Sequence, residues 1–530
     1  MQKTKDMEGT KRTTVITCGY SLFFAIACFL SIKIPTDYTT VTFTGISASD
    51  IWLFLCLWMF DTFAFCGIQW LLSRVTIKQN TENFSAVSAY VLIFTAWLPF
   101  FLSFYPGNLS SDSYSSINQA VTHIVSNANP VLFNLLVKLC IQTGLFLFGN
   151  MNAAIAVFSV VQMLLLDGIL TYTVMWMRRH HAPKWWLLLA TAYFALNPLI
   201  VRYSFTMWKD ILFSGIMLLI VLFLYDLVSG EVSFRSGKTI ARFLVLSTLA
   251  AFLRNRIIYA MIAIDILLLI VYRVQWKKLL PAFLLTVVVT LLIQGPLYQY
   301  LNIKPSNFAE GQGGTLQQLA AVVVNDGVMT EEEKAFLNQI IPLEDIRSAY
   351  RTWTVDSLKG YETFSHSFLN MHSREYLHVW RSVFMKNPWI CIKAWLMNSR
   401  GFWGFHVWIE PVAVTASNDS LGIYQINIMK NLFGLRLDYF SNGFLVNLGR
   451  VPVLRMIFEL GSLGWFGLFV LTQMIIQRRY TVLISLLPLI LQWLVLIAST
   501  PLFFEARYMF VFHLALPVLG YILLMRESMD

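Results

Sequence analysis

"AVSAYVLIFTAWLPFFLSFYPGNLSSDSYSSINQ", Ala86–Gln119, decides the fold class. Its first part, 86–105, contains no charged residue and matches the roughly 20 apolar residues that one helical crossing of a bilayer needs. The chain then turns abruptly polar, and the only carboxylate before Gln119 is Asp112, set among Ser110, Ser111 and Ser113. Similar apolar runs occupy 14–34, 51–73, 152–177, 185–204, 209–228, 257–272, 279–298, 453–476, 481–499 and 506–524. A shorter run lies at 240–253, and the run 131–149 is ambiguous.

Composition agrees: 57% of the 530 residues are hydrophobic and 13% are charged, against roughly a quarter charged in soluble domains. These patterns predict an all-α polytopic membrane protein. The net charge of +10 would suit nucleic acid only if the basic residues shared one face, and they are scattered over many short loops, so no nucleic-acid partner is expected. Six cysteines form neither a CxxC metal site nor a readable disulfide framework. Thr14–Ile34 follows a basic, polar start and is too long for a signal-peptide core, so it reads as an uncleaved first span.

Short loops bearing Lys and Arg tend to face the cytoplasm. The basic connections at Arg74/Lys78, Arg178/Arg179/Lys184, Arg235/Lys238/Arg242, Arg273/Lys277/Lys278 and Arg478/Arg479 all fall on one side if 240–253 crosses and 131–149 does not. That arrangement has about twelve spans with both termini cytoplasmic in a plasma membrane. Val131–Gly149 is then re-entrant or interface-lying, its crossing being the alternative. The chain divides into a transmembrane core over 1–298 with a large outer loop at 105–151, an extracytoplasmic and mainly helical insertion at 299–452, and closing transmembrane helices at 453–530. In the insertion, Thr330–Glu333 has capping-box spacing, and Ser373–Trp403 reads as amphipathic helices broken at Asn387–Pro388 and lying partly on the membrane. "EGQGGT", Glu310–Thr315, lacks the Lys-Ser/Thr of a phosphate loop and reads as a flexible loop.

Three outer hairpins carry cations where the positive-inside tendency expects few. Arg202, Lys209 and Asp210 lie in one, Arg254, Asn255 and Arg256 in the second, and Glu505, Arg507 and Tyr508 in the third. Ionisable groups at such depth face a polar cavity or one another, or snorkel to the interface. Several cations at one level suit a phosphate, which Arg binds bidentately and Lys as a point charge. An acid beside them suits glycosyl transfer, with the carboxylate taking a proton and the cations holding the departing phosphate. Local chemistry offers a plainer role for Asp112, the cap of a helix over Ser113–Thr122.

Tyr105-Pro106-Gly107 followed by Asp112-Ser113 and Gln119 resembles a motif of a bacterial family of polytopic membrane proteins grouped with the GT-C superfamily of lipid-sugar-dependent glycosyltransferases. The likeness continues, in family order, through "NANPVLFNLLVKL" (Asn127–Leu139), "MWKD" (Met207–Asp210), "LRN" (Leu253–Asn255), "LQQLAAVV" (Leu316–Val323), "VDSLKG" (Val355–Gly360), "KNPWICIKAWLMNSRGFW" (Lys386–Trp403) and "FFEARY" (Phe503–Tyr508). The resemblance implies a GT-C fold and an enzyme that transfers a sugar from a polyprenyl-phosphate donor to a cell-envelope acceptor, whether teichoic acid or another wall polymer, a glycolipid or a protein. It places Asp112 as the catalytic acid residue, with Tyr105, Ser113, Gln119, Asn129, Asn255, Glu505 and Tyr508 around the donor and acceptor. Lys209, Arg254, Arg256, Arg507 and Arg202 would hold the phosphate. Superfamily relatives pair acids there, sometimes with Mg²⁺ or Mn²⁺; here Asp112 has no acidic neighbour, and Asp210 is the candidate second acid or metal ligand. A flippase for lipid-linked sugars is the alternative from another class, with Asp167, Asp265 and Gln162 as its mid-membrane polar groups; a surface-glycan polymerase or ligase would share the donor chemistry. Asp61 lies mid-span with no assigned role.

Overall fold

The computed structural model describes residues 2–34, 47–75, 83–254, 257–405, 417–437, 451–499 and 505–525. Among these residues the fold is almost wholly helical, with one antiparallel pair of two-residue strands, Ser417–Asn418 and Ile423–Tyr424. Nine helices among the described residues are long and apolar enough to cross a membrane, or ten if a bent pair counts as one span. The chain is thus a polytopic helical protein suited to a lipid bilayer.

The spans differ in detail from the hydropathy reading. The 185–204 run is broken: Lys184–Leu196 and Pro198–Ser204 meet at a bend of 57°. Pro198 lacks an N–H and pushes Asn197 out of helical geometry. The Asn197 Oδ1 instead accepts from Leu199 N at 3.0 Å and Ile200 N at 3.2 Å, starting the second helix. The 240–253 run becomes the 17-residue helix Gly237–Leu253. At 1.5 Å per residue such a helix covers about 25 Å, short of the roughly 30 Å hydrocarbon layer. Val131–Gly149, expected to be re-entrant or interface-lying, forms one unbroken helix, Val131–Phe148, that is long and apolar enough to cross. It packs on the Met151–Arg179 helix, with Gly144 against Ala154. Gly149 ends it at φ +70°, a conformation that favours glycine.

Lys209–Val228 is the axis of the bundle: 83% of its most apolar stretch is buried, against 6% for Ala48–Arg74. Helices Met151–Arg179, Gly237–Leu253, Leu483–Ser499 and Phe510–Leu524 pack around it. A helix apolar on every side is what such a position requires. Its first turn, Lys209 and Asp210, therefore opens into the middle of the bundle's end.

The insertion is helical, as expected. Thr330 Oγ1 accepts from Glu333 N at 3.2 Å while Glu333 Oε2 accepts from Thr330 N at 2.8 Å, closing the capping box of helix Glu331–Ile340. Ser373–Lys386 and Pro388–Trp403 are separate helices joined at Asn387. "EGQGGT" is not a flexible loop: Phe308–Gly311 is a 3-10 turn and Gly313–Val324 an α-helix, packed on Pro388–Trp403. Backbone bonds tie the insertion to the loop that follows Ala86–Ser103, from Lys304 N to Val125 O at 3.0 Å and from Ile426 N to Tyr105 O at 2.8 Å.

Pro388–Trp403 also packs on Leu460–Ile476, where two glycines meet. A Cβ on Gly461 would lie 2.1 Å from the Gly404 carbonyl oxygen, a backbone atom that cannot swing away. Gly461→Ala is expected to destabilise by about 1–3 kcal/mol through overpacking, read as a lowered unfolding midpoint in detergent.

Candidate functional site

Asp112 does not cap its helix. The helix runs Ser111–Thr122 with Ser110 as N-cap, and Ser110 N donates to Ser113 Oγ at 2.9 Å. Neighbouring serines thus satisfy the helix start, and the Asp112 carboxylate turns instead to Arg507, with Oδ2 2.7 Å from Nη1. Ser113 Oγ donates to Met207 O at 2.8 Å, and Trp208 Nε1 donates to Ser110 Oγ at 2.5 Å. The backbone adds Asn108 N to Phe205 O and Met207 N to Asn108 O, each at 3.0 Å. The loop that follows Ala86–Ser103 is thereby fixed against the segment that starts the central helix.

Lys209, at that helix start, donates to Asn129 Oδ1 at 2.6 Å, and Asn129 Nδ2 donates to Ser116 Oγ at 3.1 Å. Asp210 is buried; its Oδ1 lies 3.3 Å from Arg254 Nη1, and its Oδ2 has no hydrogen-bond partner among the described residues. Arg507 Nε lies 3.3 Å from Glu505 Oε2, and the guanidinium stands 4.6 Å from the Trp208 ring centre and 5.1 Å from that of Tyr508. Arg254 stands 5.5 Å from the same Tyr508 ring. Aromatic rings and carboxylates thus flank both guanidiniums, contacts that restrict where their forked donors can go.

These groups line one cavity of about 270 Å³ that includes Asp112, Lys209, Asp210, Arg254, Arg507 and Tyr508. All three cation-bearing hairpins reach it. Burial alone would raise the Asp112 carboxyl, but Lys209 first and Arg507 next outweigh it and hold the group below its usual value. Burial pushes Glu505 up, with Arg507 opposing and Asp210 and Asp112 adding to the rise. The two carboxyls beside Arg507 are thus shifted in opposite directions.

Not every expected residue arrives here. Arg202 is buried away from the cavity lining, its guanidinium 4.1 Å from the Phe104 ring centre. Gln119 is structural: its Oε1 accepts from Ser126 N at 2.8 Å and Asn134 Nδ2 at 2.9 Å. Tyr105 serves through its backbone bridge to Ile426, and Ser113 and Asn129 support the lining from behind. Asn255 and Arg256 lie outside the described residues.

The insertion supplies groups that hydropathy reasoning missed. Glu310 lines the cavity, and Lys359, only 9% exposed, bonds Glu310 at 2.9 Å and Asp356 at 3.0 Å. Asp356 and Lys359 belong to "VDSLKG", and Glu310 opens "EGQGGT", the stretch expected to be a flexible loop. Lys359 also helps to lower the Asp112 carboxyl, so the insertion acts electrostatically on the cavity.

A divalent cation was implied by the resemblance. Asp112 and Asp210 are each met by a guanidinium, and among the described residues no group of three or more His, Cys, Asp or Glu is placed to hold a metal. This donor set does not fit a protein-held cation.

The family described as "Family of unknown function (DUF6020)" matches residues 117–529. The chain belongs to that family. The DUF6020 match takes in Lys209, Asp210, Arg254, Glu310, Lys359 and Arg507 and begins just after Asp112. No curated protein and no solved structure matches the chain.

Proposed function

We propose that this DUF6020 protein is a GT-C-type membrane glycosyltransferase that passes a sugar from a polyprenyl-phosphate donor to a hydroxyl of a cell-envelope acceptor on the outer face of the plasma membrane, with inversion. The observation that carries this is the meeting of Asp112 with Lys209, Arg254 and Arg507 in one cavity at the end of the bundle. Its volume, about 270 Å³, is near the roughly 300 Å³ lower bound of ligand pockets, enough for a headgroup with the lipid tail left outside.

The acceptor oxygen bonds to the anomeric carbon on the face opposite the phosphate. The bond from that carbon to the phosphate oxygen breaks, and its electron pair stays with the phosphate. Asp112 takes the hydroxyl proton, while Lys209, Arg254 and Arg507 stabilise the departing charge. A phosphate arriving at Arg507 competes with Asp112 for the guanidinium, so donor binding and freeing of the base are linked. Incubating purified protein with a radiolabelled polyprenyl-phosphate sugar tests the assignment: transfer releases the lipid phosphate, whereas a flippase releases none.

The pH dependence follows from the lowered Asp112 carboxyl. The base works only when ionised, so the acid limb of kcat/KM is expected below pH about 3.9, the usual value for Asp. Lys209 is the first of the cations that lower it. Lys209→Met is therefore expected to move the acid limb to higher pH, measured as a pH profile of kcat/KM.

A further inference from the structure

A second cavity, about 740 Å³ in volume, lies at the other end of the bundle. Three helices establish the separation. Asp210 lines the first cavity, while Tyr225, fifteen residues along the same helix and about 22 Å away at 1.5 Å per residue, accepts from Arg479 of the second. Ser499 and Thr481, then Arg507 and Leu523, repeat the division at the two ends of the closing helices.

The wall of this second cavity is rich in donors. Gln473, Gln477, Arg478 and Arg479 line it on one side, with Leu72 and Leu523 among the apolar residues, and no carboxylate is among the described lining residues. Gln473 is 4% exposed, and its Nε2 has no hydrogen-bond partner among the described residues. Such a buried amide donor costs free energy unless something accepts from it. Arg479 is already anchored, donating to Ile522 O at 3.2 Å, Met525 O at 3.1 Å and Tyr225 Oη at 3.1 Å, so its charge is held at the wall. Arg478, by contrast, is exposed.

We infer that this cavity binds a phosphate-bearing ligand, the headgroup of an anionic phospholipid of the leaflet opposite the Asp112 cavity or a free phosphate. One anchored and one exposed positive charge, a buried amide donor and a described lining without a carboxylate suit phosphate oxygens, while the leucines beside them suit the start of an acyl chain. The site uses none of the groups assigned to sugar transfer and stands whether or not that assignment holds.

The test is thermal unfolding of the full-length protein in detergent with short-chain phosphatidylglycerol, with short-chain phosphatidylcholine, or with inorganic phosphate. Phosphatidylglycerol is expected to raise the midpoint more than phosphatidylcholine, and Arg478→Glu to weaken its apparent affinity about fivefold or more, in line with about 1 kcal/mol per surface cation. Arg478 is exposed, so this variant is expected to fold; Gln473→Leu tests the buried donor, and Gln473→Glu, similar in size, is the second variant should Leu unfold. A midpoint rise from inorganic phosphate that is lost in Arg478→Glu also supports the site and makes its ligand a soluble phosphate. Equal shifts with both lipids and none with phosphate, or a phosphatidylglycerol shift unchanged in Arg478→Glu and the Gln473 variant, would overturn it.

Discussion

Asp112→Asn is expected to lower the rate of sugar transfer by about 10²–10⁴-fold, the usual contribution of a positioned general base. The substitution keeps the shape of the side chain and removes its charge and basicity. The fold has little reason to fail: Ser110 and Ser113 hold the start of the Ser111–Thr122 helix, and Arg507 retains Glu505 at 3.3 Å. Binding of the donor phosphate is expected to hold or tighten, since one anion beside the cations is gone. The measurement is release of lipid phosphate from a polyprenyl-phosphate sugar, with the unfolding midpoint taken in parallel. A variant with near-wild-type turnover would remove Asp112 from the chemistry.

Arg507→Ala is expected to produce the largest combined loss, in activity and in stability. The guanidinium is 13% exposed and bridges Asp112 at 2.7 Å and Glu505 at 3.3 Å. Deleting it leaves two carboxylates near each other with no cation between them, at a cost of about 1–3 kcal/mol for partners left unmet. Water reaching Asp112, whose side chain is 40% exposed, keeps that cost from the upper end of buried-pair values. Activity falls further than stability, because the departing phosphate loses its forked donor. Arg507→Lys separates the two effects: the charge remains and the fold is largely restored, while a point charge does not replace the stacked guanidinium over Trp208. Donor KM is expected to stay raised in Arg507→Lys with the midpoint near wild type. Full recovery of KM would show that charge alone matters there.

Much of the fold was legible because hydropathy reports a one-dimensional property: 86–105, 152–177 and 209–228 are apolar over a bilayer's length and fold as helices. The capping box at Thr330–Glu333 and the break at Asn387–Pro388 were readable for a similar reason, being local backbone chemistry. Errors appeared where neighbours decide. The 185–204 run differs: a local signal, the Asn197–Pro198 step, bends it by 57° against its continuous hydropathy. "EGQGGT" looks flexible by composition, but helix Gly313–Val324 gains a partner in Pro388–Trp403.

The site divides the same way. Residue type and loop position marked Asp112, Lys209, Arg254 and Arg507 as charges needing a polar destination, because the cost of an unpaired charge beside lipid holds in any fold. Which charges meet was a matter of packing. Arg507 and Asp112 are separated by 395 positions and bond at 2.7 Å because the closing helices pack on the central one. Arg202, only seven residues before Lys209 in the chain, ends in the protein interior against Phe104 because the bend at Asn197 turns its short helix inward. Glu310 reaches the cavity, with Lys359 paired to it, because the insertion is laced back onto the loop after Ala86–Ser103 through Lys304 and Ile426. The sequence by itself determined a helical bundle for a bilayer with costly charges at one end. Tertiary structure alone decided which charges share a cavity, because ion pairing falls off over a few ångströms and chain position does not set distance in space.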